Sequence, residues 1–199
     1  MNVKAERSEA TRAELVAVAR HLFGERGYAA VGTEEIVRAA GVTRGALYHH
    51  FTGKAELLEA AYVQVESELT EKIATAALSG SDPIAALHAG TEMFLDACLD
   101  PEVQRIVLLD APAVLGWERW REIAADHGLG LVEAALSAAI EDGSMPAQPV
   151  RPLAHVLMGA LDEAAMLVAR ADDDGRTREE VGATLSRLLD ALAAPAKLG

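Results

Sequence analysis

Apolar residues recur with helical spacing along almost the whole chain. Leu15, Val18, Ala19, Leu22 and Phe23 stand at i, i+3, i+4, i+7 and i+8, which lines one face of an α-helix. Thr11-x-x-Glu14 reads as a capping box in front of them, with Ser8 as an alternative start and Gly27 as the stop. Residues 1–8 read as a short polar arm whose basic members are Lys4 and Arg7. Leu57, Leu58, Ala61, Val65, Leu69 and Ile73 repeat the spacing, predicting one helix over 54–78, ~37 Å long. Asp82-Pro83 and Asp100-Pro101 are start signals, a capping residue followed by a first-turn proline. The helix begun at Pro101 is expected to end or kink before Pro112, with 110–116 an irregular connection. Helices follow over about 117–142, 152–171 and 177–193, the last opened by a second capping box, Thr177-x-x-Glu180. No segment shows sustained period-two alternation of strand-type residues. The expectation is an all-α chain of about nine helices.

One stretch departs from ordinary bundle patterning. Between Thr33 and Leu58 the chain reads TEEIVRAAGVTRGALYHHFTGKAELL. Thr33 is a candidate N-cap, with Glu34 and Glu35 placed to favour the helix dipole. Gly41 suits the left-handed residue that ends a helix, and Thr43 can cap a second helix over Arg44 to His50. This is a helix-turn-helix pattern. Leu47 and Phe51 are the anchors of its second helix. The other positions are small, or carry flat or forked donors: Arg44, Gly45, Ala46, Tyr48, His49 and His50. Such a helix can enter a major groove, touch base edges and bond the flanking phosphates. In a plain surface helix Gly45 would cost about 1 kcal/mol for no return.

Residues 11–65 resemble the DNA-binding domain of the tetracycline-repressor (TetR) family of transcriptional regulators. The resemblance is carried by AxxLFGERGY at 19–28, Thr33-x-x-Ile36, AAGVTRGALYHHF at 39–51, and Lys54 leading into Leu57-Leu58. It implies a three-helix DNA-binding domain over 1–54, a connecting helix 54–78, and a helical ligand-binding and dimerisation domain within 55–199. The expected DNA-facing set is Thr33, Thr43, Arg44, Gly45, Ala46, Tyr48, His49, His50 and Lys54. Arg44 is the candidate for a base edge, most suitably guanine. The family motif implies phosphate contacts for Tyr48, His49 and Lys54; Thr43 can bond a base or only cap the helix. Arg20, Arg26 and Tyr28 are further candidates for phosphates. The implied partners are a palindromic double-stranded operator, a second copy of the chain held through helices 152–171 and 177–193, and a small-molecule effector.

Charge at first argues against DNA, since the net value is −13. Residues 1–54 hold 8 Lys and Arg against 6 Asp and Glu, whereas 55–199 hold 10 against 25. The acidity therefore belongs to the larger part and disfavours non-specific wrapping of DNA. Operator binding is expected to depend strongly on salt. Cys98 is the single cysteine, so an intrachain disulfide and a cysteine-based zinc site are excluded. The apolar runs are short for a membrane span, and the N-terminus lacks the pattern of a signal peptide. The simplest location for such a chain is the cytoplasm, and no cofactor or metal is expected.

The larger domain is less legible. Candidate ligand-lining residues on its middle helices are Met93, Phe94, Ala97, Val107, Trp117, Trp120, His127, Leu131, His155, Met158, Asp162 and Met166. An apolar pocket with a few polar groups would suit a hydrophobic small molecule. Asp110, Asp162 and Glu163 point to a cationic or hydroxyl-bearing ligand, or else to surface pairs. An enzyme is the competing class, because His88, His127 and His155 could join those carboxylates. Against it, no H-E-x-x-H, Glu-x-x-His, G-x-S-x-G or phosphate loop is present. A regulator that answers to a protein partner, or to no ligand, is a further alternative.

Overall fold

The computed structural model describes residues 3–193, with side chains from Ala5 onward. Lys4 lies outside the described side chains. Nine helices and no strand occur among the described residues: α1 (Val3–Arg26), α2 (Thr33–Ala39), α3 (Arg44–His50), α4 (Lys54–Ala77), α5 (Pro83–Ala97), α6 (101–115), α7 (Trp117–Glu141), α8 (Val150–Ala169) and α9 (Asp174–Ala193). They fall into two compact units. Among the described residues, the first takes those up to 65 together with 101–120; the second takes 66–100 and those from 121 onward. The sequence boundary at residue 54 marks where the motif ends, whereas the packed head also includes the first half of α4 and all of α6.

In the first unit α1, α2 and α3 close over Leu15, Val16, Ala19, Phe23, Ile36, Leu47 and Phe51, all buried. α6 packs on α1. Arg20 forks onto Glu102 with Nε–Oε1 and Nη2–Oε2 distances of 2.9 and 2.8 Å. The Tyr28 amide donates to Asp110 Oδ2 at 2.7 Å. Arg26 pairs with Glu35 at 2.8 Å, which holds the Glu35 carboxyl below its usual range through that hydrogen bond. Arg20 and Arg26, read from sequence as phosphate candidates, are thus each paired with a carboxylate of the chain, Arg20 half-buried and Arg26 at the exposed surface.

α6 is the main surprise of the first unit. The expectation is that the helix ends or kinks before Pro112; it does not end but loosens into a π-turn over Gln104–Asp110 and runs on to Leu115, so that 110–116 is mostly helix and not an irregular connection. The Ala111 amide donates to Ile106 O, five residues back. In that register the Val107 carbonyl would next take the amide of Pro112, which has none. The Trp120 indole supplies the missing donor, Nε1 to Val107 O at 2.8 Å and buried. Tyr62 Oη then donates to the Trp120 carbonyl at 3.0 Å. A single imino acid therefore accounts for the π-turn and for the burial of two aromatic residues around it.

The second unit is a bundle of the rest of α4 and α7 with α5, α8 and α9. Leu87, Leu136, Ala139, Met145, Ala154, Leu157 and Leu189 form one core cluster. Leu95, Ala164 and Leu185 form another. Asp82 caps α5 as expected, accepting from the Ala85 amide at 2.9 Å. By length and hydropathy α7 and α8 are also apolar enough to cross a membrane, a property the short apolar runs had not suggested; their many alanines contribute to it.

Three of the longer helices start elsewhere than expected, two of them, α1 and α9, for one reason. α1 begins at Val3 rather than at Thr11 or Ser8, so residues 3–8 are helix and not an arm. α9 begins at Asp174, and α8 at Val150 rather than Pro152. Thr11 Oγ1 and Thr177 Oγ1 each donate to the carbonyl four residues back, at 2.9 and 2.8 Å, as hydroxyls do inside helices. Asp173 is the cap of α9, accepting from the Arg176 amide at 3.0 Å. The T-x-x-E spelling cannot tell a cap from a first-turn threonine. Asp173→Ala should therefore lower stability by about 1 kcal/mol, and Thr177→Ala should leave it nearly unchanged, as read by urea denaturation. The reverse order would restore Thr177 as the cap.

Candidate nucleic-acid interface and internal cavity

α3 is short because its two ends are fixed chemically. Gly41, at φ +65°, turns the chain out of α2. Thr43 Oγ1 accepts from the Ala46 amide at 3.2 Å and starts α3, so its capping role is filled. Thr33 is the first residue of α2 rather than its cap; Gly32 holds that place with no side-chain bond. Leu47 is fully buried and Phe51 nearly so, which leaves Arg44, Gly45, Tyr48 and His49 on one exposed strip, with Ala46 and His50 half-buried beside it. Arg44 lies over the Tyr48 ring at 5.5 Å, and its nearest carboxylate oxygen, on Glu34, is 3.8 Å away. His49 and His50 meet edge to face at 5.0 Å. The strip therefore presents a fork, a phenol and one imidazole, with the second imidazole, His50, half-buried at its edge.

Gly45 is the informative residue of the strip. A Cβ added there would meet nothing nearer than Thr43 Oγ1 at 3.8 Å, and its backbone is ordinary helix. Nothing inside the protein asks for glycine. A glycine that weakens a helix without easing its packing points outward, to a surface that must come close.

Lys54 is placed differently from the expectation that it holds phosphate. Its ammonium donates to Tyr28 O and Val31 O, both at 2.8 Å, and lies 3.9 Å from the Tyr28 ring centre. Two of its three donors close the α1–α2 turn, because carbonyls leaving a helix end need partners and a lysine at the start of α4 reaches them.

The second unit encloses a cavity of about 380 Å³. Of the twelve residues expected to line a pocket, Phe94, Leu131, Met158 and Asp162 do so. Met93, Ala97, His127 and Met166 stay outside its lining, and His155 is exposed. Val107, Trp117 and Trp120 belong to the first unit. Val107 and Trp120 satisfy one another there, and Trp117 is exposed with its ring 4.8 Å from that of Trp120. Asp110 is likewise committed to Tyr28. Asp162 pairs with Arg121, whose other nitrogen reaches His155 O at 3.4 Å.

The residue missed is Glu66, which lines the cavity at 8% exposure. Burial pushes its carboxyl up to about 7. Its signal was present in the sequence: a Glu four residues after Tyr62 and three before Leu69, on the buried stripe of α4.

A helix-turn-helix head with an exposed α3, joined to an all-helical body, defines a helix-turn-helix transcriptional regulator. Residues 15–61 match the family described as bacterial regulatory proteins, tetR family, and residues 84–192 match the tetracyclin repressor-like C-terminal domain. The Transposon Tn10 TetC protein of Escherichia coli is 32% identical over 158 residues, 79% of this chain and 80% of that protein. The HTH-type transcriptional regulator CymR of Pseudomonas putida is 34% identical over 145 residues, 67% of this chain and 71% of its own. A TetR-family regulator of Pectobacterium atrosepticum superposes with a TM-score of 0.85 at 34% identity, covering 94% of this chain and 96% of its own. The regulator RolR, solved with resorcinol, shares the fold at 19% identity and a TM-score of 0.76 over 96% of each chain. The chain belongs to the TetR family of transcriptional regulators, a family of DNA-binding proteins and not of enzymes.

Lys54→Met keeps the aliphatic stem and removes both carbonyl bonds. It should lower stability by about 1.5–3 kcal/mol, measured by chemical denaturation. A variant as stable as the parent would show that the ammonium is free for phosphate.

Proposed function

We propose that this regulator is a ligand-responsive dimeric repressor that reads a palindromic operator through α3 and leaves it when a small hydrophobic effector fills the cavity. The observation that carries the reading is the exposed strip Arg44, Gly45, Tyr48 and His49, with a glycine the fold does not need. Arg44 has an exposed carboxylate at 3.8 Å and the exposed Tyr48 ring to leave, both weak contacts at the surface, so turning to a guanine edge disrupts little. The second unit supports the rest. α8 carries Val156 and Leu167 at 67% and 52% exposure, and neither lines the cavity. Apolar side chains left outward on α8 suit a two-fold, four-helix contact in which α9 lies alongside it. α4 begins with Lys54 in the reading head and carries Glu66 into the cavity lining. A ligand preferring one setting of that helix would shift the population between DNA-competent and incompetent states, by no more than its differential affinity for them.

Two experiments test it. Gly45→Ala should stabilise the free protein by about 0.5–1 kcal/mol while weakening operator binding, as compared by thermal melts and fluorescence anisotropy. Arg44→Ala should relax specificity at one base pair at ~1–3 kcal/mol. Tighter operator binding by Gly45→Ala would remove α3 from the groove. Sedimentation at micromolar concentration should show a dimer for the parent chain and a monomer for Leu167→Glu combined with Val156→Glu. A dimer in both would put the interface elsewhere.

A further inference from the structure

The cavity of the second unit is almost wholly apolar: Ile73, Phe94, Val132 and Leu161 are typical of its walls. Two ionisable side chains line it, Glu66 from α4 and Asp162 from α8, and no lysine, arginine or histidine does so. Asp162 already has its counter-ion in Arg121 on α7. Glu66 is different. It is buried, with no hydrogen bond or ion pair to another described residue. The charged and titratable groups around it do not change this. Cys98, at the end of α5, is a thiol pushed up to about 12 by burial and then by Glu66 itself, so it adds no positive charge. Arg178 on α9 is held by Glu92 and Asp96 at 2.6 and 2.7 Å. Burial alone raises Glu66.

An unpaired buried carboxyl is costly to keep ionised, and evolution can replace it with an apolar residue unless something needs it. Here the polar group faces an empty, apolar space of about 380 Å³, within the usual range for small-molecule sites. An anionic ligand would meet two carboxyls and no lining cation. A neutral hydrocarbon would leave Glu66 without a partner. A ligand cation would supply the missing charge in a medium where pairing is strong.

We propose that Glu66 is the cation-recognition group of this cavity and that its ligand is a monocationic amphiphile, an apolar body carrying one ammonium. The inference rests on reading the cavity as the effector site. The body fills the space between α4, α5, α7 and α8, and the ammonium sits against the Glu66 carboxylate. Binding then favours the ionised carboxyl. Below pH ~7 the complex sheds a proton that the free protein holds, so affinity rises with pH until Glu66 is ionised in both states and then flattens.

The test is titration calorimetry on the full chain with two probes of one shape, phenylbutyl-trimethylammonium and the uncharged compound carrying tert-butyl in its place. At pH 8 the parent should bind the cation at least tenfold more tightly than the isostere. Glu66→Gln, which keeps size and hydrogen bonding but not charge, should erase that preference. At pH 6 the parent should release close to one proton per cation bound, shown by heats that vary with the buffer; this reading needs no variant. Equal affinity of the parent for the two probes, a preference that survives in Glu66→Gln, no proton release at pH 6, or binding of neither probe would each overturn the assignment. Operator affinity is measured alongside. A cation that binds through Glu66 without releasing DNA refutes the effector reading and leaves the cation site standing. A neutral compound that releases DNA equally from the parent and from Glu66→Gln does the opposite.

Discussion

The reading head depends on one ammonium. Lys54 stands at the first turn of α4 and donates to two carbonyls of the turn that joins α1 to α2. Those carbonyls lie in the turn beyond α1, where Tyr28 O also accepts the Val31 amide at 3.3 Å and the ammonium adds the second bond to it and the bond to Val31 O. With the lysine in place, the α1–α2 turn is tied to the start of α4, and α3 lies between two elements whose ends are fixed. Leu47 and Phe51 then have a defined pocket to fill, and their burial decides which strip of α3 faces outward. A lysine free in solvent would add charge near DNA. A lysine held by carbonyls adds geometry instead, and the mildly basic head makes geometry the more important contribution.

A similar compensation organises α6. Pro112 deprives the Val107 carbonyl of its backbone donor, and the indole of Trp120 restores one. Tyr62 caps the arrangement by donating to the Trp120 carbonyl. Trp120, which looked like a ligand wall from sequence, is thereby used up in satisfying backbone. Trp and Tyr suit this because each joins a large apolar body to one polar handle that needs a partner when buried. Sequence alone could place the proline but could not say that its missing amide would be answered eight residues later.

How legible each part was follows from the range of the forces involved. The helix-turn-helix was readable because local chemistry specifies it: a left-handed glycine, a capping threonine, and two anchors four residues apart. The helical class and most element bounds followed from apolar spacing. Helix starts were read less well. Thr11 and Thr177 have the spelling of caps, and only the donors in three dimensions reveal that both bond backward. The cavity was legible in a third of its expected walls, Phe94, Leu131, Met158 and Asp162. Which face of α5, α7 and α8 meets empty space depends on packing between helices far apart in sequence. Periodicity marks a buried face and does not distinguish a filled interior from a hollow one.

Gly45 and Glu66 are the two residues that contradict their local surroundings, and they do so in opposite senses. Gly45 weakens an exposed helix where alanine would fit; Glu66 buries a carboxyl on an apolar stripe where leucine would pack. Natural sequences are mostly consistent across levels, and breaches tend to gather where function imposes a second requirement. Each breach here faces a space the protein does not itself fill, the outer face of α3 in one case and the cavity in the other. α4 starts at the lysine that positions the head and reaches the glutamate about three turns later as part of the cavity wall. Lys54 and Glu66 are thus set by opposite chemistry: at Lys54 a charge is consumed by backbone carbonyls, and at Glu66 a carboxyl is left with burial and no partner among the described residues. The first requirement is met within the protein, so Lys54 explains itself as structure; the second is not, which is why Glu66 and not Lys54 calls for a ligand.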